Sequence, residues 1–186
     1  MAWPSFVSQW GTTAPERAQR FPCDEQLAAP DQTLFRAVDV EAPQAVTFRW
    51  LCQLRAAPYS YDKLDNFGRR SPQTLTPGLE RLEVGQRVQL IFRLVDFEPG
   101  RSLTMVHRGR VVGSAAVTYR ADRVGEQRSR IVVKLLLAYP RYSLPAQLLR
   151  LAMAPGDLVM MRRQLLNLKG LAEGTARSAE PLPIHA

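Results

Sequence analysis

The chain has 186 residues, 46% of them hydrophobic, 8% aromatic and 23% charged, a balance that favours one buried core and excludes a disordered chain. No apolar run approaches the ~18 residues of a membrane span, and Met1-Ala2-Trp3-Pro4-Ser5 lacks the basic and apolar regions of a secretory leader. The net charge is +8, but only three of the 25 basic residues are lysine and the arginines are scattered from Arg17 to Arg177; a nucleic-acid reader gathers such charge on one face, so no nucleic-acid partner is expected.

Residues 1–32 carry Pro4, Pro15, Pro22 and Pro30 with little periodicity and read as an extended arm. Its Trp3, Phe6, Trp10 and Phe21 predict that it lies across the body of the domain. Residues 33–41 form a β-type run that Ala42-Pro43 stops, and Pro43 suits the first turn of a helix. Ala45, Phe48 and Cys52 then recur at helical spacing until Pro58. The long connection over 56–86 is rich in Pro, Gly, Asn and Asp, with a helical turn expected near 62–67.

From residue 87 the pattern becomes strands separated by turns. Val88, Leu90, Phe92 and Leu94 share one face of a strand over 87–97, and Glu98-Pro99-Gly100 turns the chain. Leu103, Met105 and His107 alternate along the next strand, which ends in a loop over 108–113. Ala115, Val117 and Tyr119 alternate along the third. Ile131, Val133, Leu135, Leu137 and Tyr139 do so along the fourth, with Arg130 and Lys134 opposite. Four strands joined by short turns predict an antiparallel meander with one buried face. Pro155-Gly156-Asp157 reads as a helix start, with Asp157 at the positive end of the dipole. Leu158, Met161, Leu165, Leu168 and Ala172 form its apolar stripe, residues 144–153 add a turn or two before it, and Gly174 stops it. Residues 174–186 are expected to be a loose tail.

The expected architecture is α+β: a curved antiparallel sheet over residues 33–173 with a long C-terminal helix across its concave face. Such a bent sheet can enclose an apolar space, the usual place for a small-molecule site. Cys23 and Cys52 are too few for a disulfide framework and too isolated for zinc. A reduced, cytoplasmic protein is the simple reading, with one bridge between them left open.

The run Phe35-Arg36-Ala37-Val38-Asp39-Val40-Glu41-Ala42-Pro43, followed by Phe48-Arg49-Trp50-Leu51, resembles the opening of START-like helix-grip proteins. This is the SRPBCC superfamily, with its polyketide cyclase/dehydrase and lipid-transport group. Pro58-Tyr59-Ser60-Tyr61-Asp62, the block from Leu64 to Pro72 and the stretch from Gly156 to Glu173 are similar to one uncharacterised bacterial branch. The resemblance implies a sheet gripping a helix around a cavity. It implies no single chemistry, because one fold serves many functions. Nothing in the sequence has the Cys/His spacing of an iron–sulfur or mononuclear iron site, so no metal and no cofactor are expected.

Two functions follow from this reading. The first is the binding of a small, mostly apolar or aromatic molecule in the internal cavity. The second is a polyketide cyclase/aromatase or dehydratase-like activity on a carbonyl-rich substrate in the same cavity. For catalysis the candidates are Tyr59, Tyr61 and Asp62 beside the first helix and His107, the only histidine inside the domain. For binding they are Trp50, Tyr59, Tyr61, Phe67, Arg69, Phe92, Leu103, Met105, Tyr119, Val133, Met161 and Leu165. Arg69 and Arg70 suit an anionic group, or else answer Asp62 or Asp65 at the surface. Arg36 shares a strand face with Val38 and Val40, so it is either a buried, paired cation or lies at a wet strand end. No nucleophile elbow, phosphate loop or metalloprotease helix is present.

Overall fold

The computed structural model describes residues 4–109, 113–140 and 144–179, with side chains in the last helix from residue 152 onward. Trp3, the centre of the 108–113 loop and His185 lie outside the described residues. The body is one six-stranded antiparallel sheet of β1 (Gln32–Val40), β2 (Arg87–Val88), β3 (Phe92–Glu98), β4 (Ser102–Arg108), β5 (Ser114–Arg123) and β6 (Ser129–Ala138). Its strand order is β1-β6-β5-β4-β3-β2. The four expected hairpin strands are therefore β3 to β6, and the strand over 33–41 closes back beside the last of them.

The predicted strand over 87–97 is broken. Gln89 and Leu90 take φ of +45° and +64°, and the Ile91 N–H donates to the Gln89 carbonyl at 2.7 Å. That tight turn makes a short hairpin pairing Val88 with Phe92. It also puts Leu90 and Ile91 in solvent, against the expected alternation.

Helix α4 (Gln44–Cys52) and a single 3-10 turn (Gln53–Arg55) follow β1. The buried Gln53 side chain then pins the long connection, its Oε1 accepting from the Thr76 N–H at 2.9 Å. The helical turn expected near 62–67 is α5 (Asp62–Asp65).

Helix α6 (Leu144–Ala179) runs unbroken through Pro155 and Gly174, so neither residue is the boundary the sequence suggests. Proline at 155 has no N–H for the carbonyl of residue 151, a defect worth about 3 kcal/mol in a helix interior. Packing on both sides of it offsets that defect: Ala154 is fully buried, and Asp157 binds Arg36. The stripe of Met161, Leu165, Leu168 and Ala172 is buried against the concave sheet face, with Leu158 partly buried.

A sheet with one buried face is also not what forms. Val106, Ala116, Val132 and Leu136 are buried on the outer face together with Phe21 and Cys23 of the N-terminal segment. That segment is not simply extended: it contains α1 (Ser5–Ser8), α2 (Ala14–Ala18) and α3 (Cys23–Gln26). The Cys23 N–H donates to Thr118 Oγ1 at 3.1 Å, and the Lys134 ammonium lies over the rings of Phe21 and Phe35. Trp10 adds a backbone contact to the sheet edge, accepting from the Ala37 N–H at 3.0 Å. Gly11 allows this approach, because a Cβ there would sit 2.1 Å from the Ala37 carbonyl oxygen. Both cysteines are free and buried, Cys23 on the outer face and Cys52 in the inner core, so no bridge joins them.

Candidate functional site

Residues 58–73 fold against the outer side of α6, and α6 holds their backbone in place. Gln164 Nε2 donates to the Pro58 carbonyl at 2.5 Å, and Asn167 Nδ2 donates to the Tyr59 carbonyl at 2.9 Å. Tyr59 takes a φ of +56°, uncommon for a bulky residue, and its ring meets the edge of Trp50 with centroids 6.1 Å apart. Trp50 is itself fixed, its indole N–H donating to Thr175 Oγ1 at 2.9 Å.

The Tyr59 hydroxyl is buried and has no hydrogen-bond partner among the described residues. Burial, with the charge of Asp62 nearby, pushes this phenol up to about 12. At neutral pH it is a proton-bearing donor, not a base.

Beyond Tyr59 the chain closes on itself. The Asp62 carboxylate accepts from the Ser71 N–H at 2.9 Å and from Ser71 Oγ at 2.6 Å, and Ser60 Oγ donates to Asp65. A pocket of about 470 Å³ lies between this clasp and α6. Tyr59, Ser60, Asp62, Ser71 and Gln73 line one side, and Arg163, Leu166, Asn167, Gly170 and Leu171 the other. The helix residues recur every three or four positions, which sets them on one stripe. Gly170 leaves that wall open, since a Cβ there would meet nothing within 4 Å.

Inside the grip a polar row crosses the apolar sheet face. Arg36, Val133, Tyr119 and Leu103 are register neighbours on β1, β6, β5 and β4. Arg36 Nη2 meets Asp157 Oδ2 at 2.8 Å, with only 1% of the Arg36 side chain exposed. This answers the question the sequence left open: Arg36 is a buried, paired cation, and Asp157 is its partner in the body of α6 instead of a helix-start residue. Burial raises the Asp157 carboxyl to about 6, and the Arg36 guanidinium pulls against that rise. The Tyr119 hydroxyl donates to Gln164 Oε1 at 2.6 Å and accepts from Gln89 Nε2 at 3.3 Å, with Met161 Sδ also 3.3 Å away. Burial holds that phenol well above its usual range.

The fold thus brings some sequence candidates together and separates others. Trp50, Tyr59, Leu103, Met105, Tyr119, Val133, Met161 and Leu165 belong to one buried cluster, with Phe92 partly buried against it. Tyr61 and Phe67 face solvent, and Arg69 is exposed. Asp62 and Asp65 bond to serines, so neither answers Arg69 or Arg70 as a surface pair. His107 sits at the far end of β4, its Nδ1 3.1 Å from the Ile91 carbonyl oxygen and its ring edge-on to Phe92. No hydrogen bond or ring contact joins it to Tyr59, Tyr61 or Asp62 among the described residues.

Sequence reasoning missed Gln164, Asn167, Arg163 and the role of Asp157. Asp157 had a signal: it stands four residues before Met161, on the apolar stripe itself. Among the described residues no group of three His, Cys, Asp or Glu side chains is placed to hold a metal, and no helix is long and apolar enough to cross a membrane.

No family model matches the chain, and no curated protein matches it. Solved structures do. The Zhui aromatase/cyclase from Streptomyces sp. R1128 is 16% identical with a TM-score of 0.53, over 81% of this chain and 99% of that one. A hypothetical protein from Helicobacter pylori is 13% identical with a TM-score of 0.51, over 83% and 96%. At these identities the likeness concerns the fold, which is the helix-grip α+β fold.

Proposed function

We propose that this protein binds a small, mostly apolar molecule that carries a hydrogen-bond acceptor, held in the pocket between α6 and residues 59–73. The observation that carries this reading is a pocket of about 470 Å³ lined by Tyr59, whose hydroxyl is a buried donor without a partner among the described residues. Leaving such a group unpaired costs about 1–3 kcal/mol, which an acceptor on a ligand or a bound water relieves. The surrounding groups favour binding over proton transfer. Tyr59 keeps its proton, the Asp62 oxygens are occupied by Ser71, and His107 is engaged elsewhere. General acid–base work needs such groups to converge on one reacting atom.

The likeness to an aromatase/cyclase makes carbonyl-bearing aromatic molecules the first compounds to assay. Native mass spectrometry of gently purified protein tests the reading: a discrete excess mass that disappears on denaturation is expected. Absence of any excess mass, together with no thermal stabilisation by a panel of aromatic ketones, would overturn it.

A further inference from the structure

The segment from Tyr61 to Ser71 sorts its side chains by chemistry. Its two carboxylates turn inward, Asp62 to Ser71 and Asp65 to Ser60. Asn66 is buried and its amide donates to the Arg69 carbonyl at 2.6 Å. Lys63, Leu64, Phe67, Arg69 and Arg70 all point into solvent, and none of the three cations has an ion-pair partner among the described residues.

The apolar members are not marginally exposed. Leu64 is 77% and Phe67 84% accessible. Phe67 also has a φ of +50°, a region that disfavours bulky side chains. The loop nevertheless holds it there through the Gly68 N–H bond to the Asp62 carbonyl at 2.7 Å. Across the pocket, α6 adds the unpaired, exposed Arg163 and the 37% exposed Leu166. The loop whose Tyr59, Ser60, Asp62 and Ser71 line the pocket therefore also carries two projecting apolar side chains and three cations unpaired among the described residues, with Arg163 on the opposite pocket wall and Asp62 and Asp65 bonded to serines.

We propose that this rim is a docking surface for a lipid bilayer bearing anionic headgroups: Phe67 and Leu64 enter the interfacial layer, and Lys63, Arg69, Arg70 and Arg163 meet the headgroup charges. Isolated side chains standing off a folded loop suit a deformable lipid surface. A folded protein partner would require a contiguous complementary patch of about 800 Å² on each side. Two inserted side chains and a few charges give weak, reversible attachment, with each cation worth roughly a fivefold change in binding and all of it reduced by salt. The inference stands whether or not the pocket holds a ligand.

Co-sedimentation with vesicles tests it, using phosphatidylcholine alone and phosphatidylcholine mixed with phosphatidylglycerol. Expected are binding to the mixed vesicles, little to the neutral ones, and loss with added salt. The Leu64→Ser/Phe67→Ser variant and the Arg69→Gln/Arg70→Gln variant should each bind about tenfold more weakly or worse. Val124→Ser, an exposed apolar residue at the β5–β6 turn, should bind as the parent protein does. All these side chains are exposed, so circular dichroism and melting temperature should be unchanged and a folding defect is separable. No binding to the mixed vesicles would overturn the proposal, as would binding that both double variants retain. So would equal binding of the parent and the Leu64→Ser/Phe67→Ser variant to both mixed vesicles and soluble poly-glutamate, which would reduce the interaction to charge alone.

Discussion

Replacing Tyr59 by phenylalanine separates the cost of an unpaired hydroxyl from its use. The ring keeps its edge contact with Trp50, and only the buried oxygen without a partner is removed. Such a group forfeits its hydrogen bonds with water for about 1–3 kcal/mol. The ligand-free Tyr59→Phe protein should therefore be more stable by about 1 kcal/mol, a rise in melting temperature of roughly 2–4 °C for a chain of this size. In the complex the balance reverses: losing one hydrogen bond of about 1 kcal/mol weakens binding roughly fivefold. Thermal denaturation of the stripped protein, and of the protein with the molecule recovered by native mass spectrometry, measures both effects. A melting temperature that falls in the stripped variant would refute the reasoning, because it would mean that the hydroxyl is satisfied within the protein.

Four further outcomes are expected. Burial holds the Asp157 carboxyl at about 6 in the folded state, against 3.8 for an ordinary aspartate. The folded protein thus keeps a proton that the unfolded chain has released, and this group's contribution to stability falls as pH rises through that window, by up to about 3 kcal/mol. Urea titrations across the window should show Asp157→Asn losing that part of the slope; a slope equal to the parent's would assign it to another group. Arg36→Met, which leaves the carboxylate without its cation, should lose about 3–5 kcal/mol above the window. Gly11→Ala places a Cβ at a φ of +76° against the Ala37 carbonyl. It should lower stability by at least about 2 kcal/mol and expose the N-terminal segment to limited proteolysis, and an unchanged digestion pattern would count against that segment's close docking on β1. Burial raises the Cys23 thiol to about 11 and the Cys52 thiol to about 12, so iodoacetamide at neutral pH should label neither until denaturant is added. Labelling of the native protein at the denatured rate would show that one of them is open to solvent.

The elements with strong periodicity were legible from residue order. The alternation of Ile131, Val133, Leu135 and Leu137 and the stripe of Met161, Leu165, Leu168 and Ala172 each follow from one side of the chain seeking an apolar surface, and all of these residues are buried in the inner core. Their order along the chain was enough for an antiparallel sheet closed by a helix.

Tertiary packing decided the rest. Pro155 and Gly174 are local stop signals, but α6 packs against β1 and α4, with Ala154 and Asp157 buried or paired beside Pro155 and Ala172 and Thr175 packed beside Gly174, and that packing outweighs the local preferences. Val88 to Leu94 alternates like one strand, but the left-handed turn at Gln89 and Leu90 folds it into a hairpin. The candidate site was least legible, because its parts come from distant stretches of chain. Tyr59 meets Asn167, Arg36 meets Asp157, and Tyr119 meets Gln164. None of these pairings leaves a spacing in the sequence, since each exists only once α6 is laid across the sheet and residues 58–73 are folded onto it.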